Sequence, residues 1–432
     1  MGNCTSQRGL TILLLHLSVL VMKRITYIVL PLLLILSSCM NSSNSNIILW
    51  TDKPEIAAYV EEFNSTQEKF RLEIVYKKNP GEALSLSDNP PDFVISDFLS
   101  SPGIIDFFTP LDELLKEERL NQNIFYSEFL KMGRKGGNLL LLPVSFNLPA
   151  IMFNSESDSE DIPPFFLNPP EMEAEAKSFN EKGSSGFQVM GFSPRWESEV
   201  LYLNSVLMKA GFQSLSTGVL SWNSENILKS LEVLKRWGTE INNSFEYQEE
   251  FTTKFLYDPG YKLIAEKRIL FYYSDLVGFF SIPPEKRKIL DFTWFASENK
   301  IPVLEDAVLS GIPAGAKNRD GAVEFIYWLF SPETQKKLLI STQIKRLDTF
   351  GFANGFSSLP EVNENELPIL YPQLAGSVPP EASLIFPDSL PLYWREIKKD
   401  VILPWFYNQT GKNSQKISLQ EAIEEWLKQR PQ

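Results

Sequence analysis

The chain has 432 residues, 43% apolar and 22% charged, the make-up of a globular protein rather than a disordered one. Its one histidine, His16, and its two cysteines, Cys4 and Cys39, lie within the first 39 residues; the chain beyond them therefore has no imidazole or thiolate for nucleophilic catalysis, ordinary zinc sites, haem or iron–sulfur clusters. Net charge is −13, and beyond residue 38 it is −16, with 38 bases against 54 acids, which excludes a general polyanion binder, because nucleic-acid affinity comes from neutralising phosphates with Lys and Arg.

In chain order, two apolar runs come first, at residues 11–21 and 25–36, separated by Lys23-Arg24. Each is shorter than the ~20 residues of a membrane-spanning helix. Met22-Lys23-Arg24 is a positive n-region, residues 25–36 an apolar h-region, and Leu36-Ser37-Ser38-Cys39 comes next, at the cleavage position. That tetrapeptide resembles the bacterial lipobox, whose cysteine is acylated and becomes the mature N-terminus. Residues 1–21 then read as an upstream extension, 22–38 as a lipoprotein signal peptide and 39–46 as a lipidated, polar tether. Cys39 is the palmitate-type anchor and no disulfide is expected. A rival pattern, Met1-Gly2-Asn3-Cys4-Thr5-Ser6, fits N-myristoylation but leaves the long apolar stretch without a role.

The body opens with a short apolar run, residues 47–50, ending at Thr51-Asp52-Lys53. Pro54 suits a helix's first turn, and Ile56, Tyr59, Val60 and Phe63 then recur at the helical period. Leu72, Ile74 and Tyr76 alternate as in a strand, and Pro91-Asp92 opens another strand at 93–96 that ends at Asp97. Strand, helix, strand, strand predicts an α/β layer with a parallel sheet. Two buried strands are predicted on either side of 144–149. The acids of residues 154–170 (Glu156, Asp158, Glu160, Asp161) lack the glycine and terminal glutamate of a calcium loop and read as a solvated loop. Helices are predicted from Asn223-Ser224, after Lys317-Asn318, from Ser331-Pro332-Glu333 with a capping serine, and from the capping box Ser418-Leu419-Gln420-Glu421.

With these elements in order, the body resembles the extracellular solute-binding proteins of bacterial ABC importers (family 1), of the sugar-binding type that includes maltose-binding protein. The segments that carry the resemblance are Asn46 to Trp50 with Glu61-Glu62-Phe63-Asn64, Pro91-Asp92-Phe93-Val94-Ile95-Ser96-Asp97, Phe108-Thr109-Pro110-Leu111-Asp112, Leu142-Pro143 through Phe153-Asn154, Lys317 to Gln335, and the last helix after Thr410-Gly411. The resemblance implies an α/β, two-lobed periplasmic-binding-protein fold (type II-like) with the ligand in the cleft. Lobe 1 would hold 44–147 and 304–348, lobe 2 would hold 150–300 and 352–432, and the crossings would fall near 144–149, 302–305 and 347–352. It further implies a monomeric, lipid-anchored, extracytoplasmic binding component without enzymatic activity, cofactor or metal. That component closes on a small solute, a sugar or oligosaccharide, and delivers it to ABC permease subunits. Two other classes fit the residue types: a surface lipoprotein of the same fold acting as sensor or adhesin, and a carboxylate-only glycosidase, for which Asp97, Glu197 and Asp275 offer acid pairs.

Sugar sites combine aromatic faces with a few placed carboxylates and amides. Matched to the family's cleft segments, the expected contacts are Trp50 and Asp52 at the end of the first strand, Asp97 at a strand end, Asn147 at a crossing, and Trp196 with Glu197 in Gly191-Phe192-Ser193-Pro194-Arg195-Trp196-Glu197. Tyr273 and Asp275 near a strand end and Phe352 in the third crossing complete the set. Where many family members carry Gly-x-Trp after that strand, this chain has Ser274-Asp275-Leu276. Trp222, Trp237, Trp328, Trp394 and Trp426 are expected in the core.

Overall fold

The structure is a computed structural model and describes residues 45–116, 119–156, 165–184, 186–215, 218–412 and 417–430. The signal region, the lipobox and Cys39 lie outside the described residues, as do the two N-terminal apolar runs.

The chain begins with β1 (Ser45–Thr51), α1 (Ile56–Thr66), β2 (Phe70–Tyr76) and β3 (Phe93–Asp97). β1 lies between β2 and β3 and is parallel to both. α1 buries the four residues at the helical period, Ile56, Tyr59, Val60 and Phe63. The Asp92 carboxylate accepts from the backbone N–H of Ile48, Lys317 and Asn318 at 2.7–2.8 Å. It thus ties β1, the start of β3 and a segment more than 200 residues away, so the Pro-Asp motif is structural.

β4 (Leu142–Phe146) and β5 (Pro149–Asn154) come next, with every residue of both buried. β4 runs through Pro143, whereas the sequence predicts a break at 144–149. Proline has no N–H for the ladder, and the register against β9 slips at this point, with Leu309 opposite Pro143 and Val308 opposite Ser145. Beyond Asn147-Leu148 the chain enters a second sheet, ordered β7 (Tyr272–Asp275), β5, β8 (Leu290–Phe295), β6 (Phe166–Leu167). It then returns to the first sheet as β9 (Val308–Gly311) and β10 (Phe356–Ser357), giving the order β10-β4-β9-β3-β1-β2. β9 and β10 pair antiparallel, so the expected parallel sheet is a mixed one.

The central strand β5 is buried on both faces, which explains its unbroken apolar run from Pro149 to Phe153. Successive side chains point to opposite faces. Ala150 and Met152 of β5 join Phe292 and Trp294 in the large core shared with the first sheet. Ile151 and Phe153 join Tyr273, Phe295, Trp394 and Phe406 in a second core. The helices over that second core are α2 (Ser198–Leu207), α3 (Ser224–Arg236), the short α4 (Trp394–Ile397) and α5 (Leu403–Gln409). Lys398–Ile402, between the last two, is a π-helical turn. The terminal helix Leu419–Gln429 has the predicted capping box, Ser418 with Glu421.

The third passage between lobes lies later than the sequence suggests. β10 pairs with β4 in the first sheet, and Phe352 stacks on Tyr59 of α1 with ring centroids 5.1 Å apart. Only near Leu390 and Trp394 do the side chains enter the second core. The loop at 347–352 is a turn on the first lobe, made tight by Gly351 at φ +59°.

Candidate functional site

The cleft is built where strand ends of the first sheet face α2, α4 and the π turn of the second lobe. At the C-terminal end of β1, the Asp52 carboxylate accepts from Ser96 Oγ at 2.8 Å and lies 3.3 Å from Lys53 Nζ. Lys53 also donates to Asp97, at the end of β3, at 2.7 Å. Burial works against the Lys53 ammonium, but Asp97 and Asp52 outweigh it and hold its pKa above the ordinary lysine value. Burial raises the Asp52 pKa, with Lys53 opposing. From the opposite lobe, Arg395 closes a second ion pair onto Asp97.

Deeper in, Lys398 projects from the π turn between two carboxylates, Glu199 of α2 and Glu305 of the return crossing, the latter at 2.9 Å. Its ammonium also lies 4.2 Å from the Tyr202 ring centroid. The shared cation is stabilised by both acids, so its pKa stays high in spite of burial. The acids outnumber it, so burial and the Glu305 charge together hold Glu199 above the usual carboxylate range against the pull of Lys398. A π turn adds a residue to the helix and rotates the residues after it, and such turns are frequent at functional sites. Here α4 supplies Trp394 and Arg395, and the start of the turn Lys398 and Lys399, to one wall of a cavity of about 360 Å³. The facing wall holds Glu199, Tyr273, Asp275, Glu305 and Asp306.

Asp275 accepts from Asn147 Nδ2 at 3.0 Å and from the Gly278 N–H at 2.5 Å, so it caps the helix Leu276–Ser281. Burial raises its pKa against those two bonds. Asp306 differs from its neighbours. It is crowded by protein yet open to the cleft. Desolvation, then the Asp97 charge, push its pKa up to about 6, with Lys53 opposing and Glu305 and Asp275 adding to the rise.

A carboxyl with a raised folded-state pKa costs stability above that pKa, and the cost vanishes once pH falls below its unfolded value. Asp306→Asn should therefore stabilise the protein at pH 7.5, with the gain shrinking through pH 6 and disappearing near pH 4. A dry carboxyl so shifted would give about 3 kcal/mol. Water reaches this one, so about 1 kcal/mol is expected. Urea unfolding of both proteins across that range measures it, and an equal gain at pH 4 would contradict the account.

The structure brings Asp52, Asp97, Asn147, Tyr273 and Asp275 to this cleft and places the other expected contacts elsewhere. Trp50 is buried in the first core, with the Lys77 ammonium 4.6 Å from its ring centroid. Phe352 is wholly buried against Tyr59. Trp196 stacks on Phe251 at 5.8 Å and meets Phe192 edge-on, in an aromatic group of the second lobe. Its neighbour Glu197 accepts from the Tyr272 hydroxyl. Neither Trp196 nor Glu197 lines the 360 Å³ cavity. Sequence reasoning missed Lys53, Glu199, Glu305, Asp306, Arg395 and Lys398 as cleft residues. It read Trp394 as core, and Trp394 is indeed 1% exposed, but it also forms the cleft wall. The signal available for this group was Glu305-Asp306 beside a predicted crossing, together with the run of bases from Arg395 to Lys399.

Among the described residues no group of His, Cys, Asp or Glu is arranged to hold a metal ion. No helix among them is long and apolar enough to cross a membrane.

No family profile and no curated protein matches the sequence. Solved structures do match. The sugar-binding protein MalE from Xanthomonas citri aligns with TM-score 0.64 at 12% identity, over 88% of this chain and 95% of its own. A cyclo/maltodextrin-binding protein complexed with maltotetraose aligns with TM-score 0.63 at 14% identity, over 90% and 98%. An ABC substrate-binding protein from Listeria monocytogenes in complex with cycloalternan gives 0.59 at 12%, over 89% and 97%. At these identities the likeness speaks to fold. The chain has the two-lobed α/β fold of the maltose-binding-protein type, with its cleft between the lobes.

Proposed function

We propose that this protein is the lipid-anchored, extracytoplasmic substrate-binding component of an ABC importer. In this reading it binds a sugar or oligosaccharide between its lobes and hands it to permease subunits without chemical change. The observation that carries the reading is a cleft lined by two aromatic residues, Trp394 and Tyr273, together with carboxylates, one of which accepts from the Asn147 amide. That is the composition that grips sugar hydroxyls and ring faces. The structural neighbours support it, since their ligands are mannobiose, mannotriose, maltotriose, maltotetraose and cycloalternan. Asp52, Asp97, Asn147, Tyr273, Asp275 and Trp394 would contact the ligand. Trp50 and Phe352 would support the first-lobe wall from behind, and Trp196 with Glu197 would extend the second.

A ligand favours closure only through contacts it makes better in the closed state. Titrating those five sugars while following intrinsic tryptophan fluorescence and calorimetric heat should show saturable binding of at least one, with the sugar recovered intact. Release of smaller sugars would instead establish a glycosidase. No heat and no fluorescence change with any sugar would remove the transport reading and favour the sensor or adhesin. Anchoring is tested separately: a clickable palmitate analogue should label the wild-type protein and not Cys39→Ala.

A further inference from the structure

We infer that Arg395 is the gate of the cleft: its pair with Asp97 holds the lobes together before ligand arrives and divides the space between them into chambers, so a ligand spanning more than one chamber must displace it. The chamber role rests on the sugar-binding reading; the latch role does not.

Three observations carry it. The pair crosses between lobes. Asp97 ends β3 in the first sheet, and Arg395 is the neighbour of Trp394, whose ring is fixed in the second core. The pair is also asymmetric, since the Asp97 side chain is 6% exposed and that of Arg395 is 55% exposed. The arginine is therefore the member free to move. Finally, cavities of about 800, 360 and 360 Å³ meet at Arg395, which alone among the described residues lines all three; apart from it the first is lined by first-lobe residues. The first adjoins Asp52 and Lys53, the second Trp394 and Asp306, the third Lys77 and Asn79.

The chemistry makes release feasible at this pair and not at its neighbour. Removing one member of a buried ion pair is costly because it leaves the other uncompensated. When Arg395 withdraws, Asp97 keeps Lys53 at 2.7 Å. If Lys398 withdrew, Glu199 and Glu305 would face each other without their cation. Arg395 would also leave the face of Phe98, now 5.7 Å from its guanidinium, uncovering an aromatic surface between two chambers. A two-unit sugar fits one chamber with Arg395 in place. A longer chain gains its additional contacts only after the guanidinium has moved.

The test uses full-length lipoprotein in detergent micelles, with a dye pair at exposed Ile340 of the first lobe and Leu228 of the second. Single-molecule energy transfer should find the ligand-free wild type mostly closed. Arg395→Ala should lower the closed-to-open ratio by about tenfold, and Arg395→Lys should recover part of it. Calorimetry on the same proteins should show the mannotriose-to-mannobiose affinity ratio rising by about tenfold in Arg395→Ala. A closed population unchanged in Arg395→Ala overturns the latch, and an unchanged affinity ratio overturns the chamber assignment. If Arg395→Ala opens the lobes but no sugar binds either protein, the latch stands while the chamber assignment and the sugar reading fall. If sugars bind and the lobes do not open, the sugar reading stands and the latch falls.

Discussion

Replacing Lys398 by alanine should destabilise the protein by about 3–5 kcal/mol at neutral pH, the usual effect of stranding a buried charge. Lys398 is the cation between Glu199 and Glu305, and its side chain is only 12% exposed. The loss should shrink as pH falls. The Glu199 pKa is already raised by burial with Lys398 present, and without that cation it rises further. A carboxyl with a raised folded-state pKa has its cost removed on protonation, so the variant recovers from neutral pH downward through the folded pKa. Urea unfolding of wild type and Lys398→Ala at pH 7.5 and pH 5 measures both effects. A loss below about 1 kcal/mol at pH 7.5 would mean that water solvates the two acids and that the trio is not dry. Lys398→Ala combined with Glu199→Gln should regain a large part of the loss, because one of the two stranded acids is gone.

Replacing Trp394 by alanine should cost about 3–5 kcal/mol of stability, as for other buried large-to-small changes, and should abolish sugar binding as well. Its ring packs on Phe212 at 5.7 Å and Tyr202 at 6.1 Å, and the residue also lines the cleft cavity. Phenylalanine separates the two roles. The indole N–H of Trp394 has no hydrogen-bond partner among the described residues, so losing it removes an unsatisfied donor and offsets part of the lost area. Trp394→Phe should therefore fold nearly as well as wild type, within about 1–2 kcal/mol, yet bind sugar about tenfold more weakly through its smaller face. Thermal melts and calorimetric titration of both variants check this. Wild-type affinity in Trp394→Ala would take Trp394 out of the ligand site.

The helices were legible from sequence because their signals are local. Asn223, Asn318, Ser331 and Ser418 each accept from a backbone N–H three residues on, as their positions before an apolar stripe suggest. β3 ends at Asp97 as read. β2 is less regular, with Val75 and Tyr76 both exposed at its end, because an edge strand that reaches a cleft mouth loses its cover on both faces. The third passage between lobes was misplaced because Phe352 and β10 belong to the first lobe through long-range pairing, which has no local mark.

The candidate site divides in the same way. Asp52 and Asp97 stand at strand ends, where a polar residue after an apolar run is visible in one dimension. Their counter-ion Arg395 lies 298 residues from Asp97, and nothing in the spacing of the two announces the pair. Trp50 and Trp196 look like stacking residues by position, and only packing shows that the first is covered by its own core and the second by Phe251 and Phe192. Trp394 illustrates the opposite case, a residue buried enough to read as core that also lines the cleft cavity.

By itself the sequence determined the chemistry available to this protein. A body without histidine or cysteine has carboxylates, ammonium groups, amides and aromatic rings to work with, and the apolar periods and caps commit its segments to an α/β fold. The tertiary structure decided which of those groups meet. Ion pairs and ring stacks across a cleft depend on where two distant backbones cross, and Coulomb attraction and burial act on distance in space, not along the chain. That is why acids and cations scattered from Asp52 to Lys398 form one site, and why a single exposed arginine stands where the lobes meet.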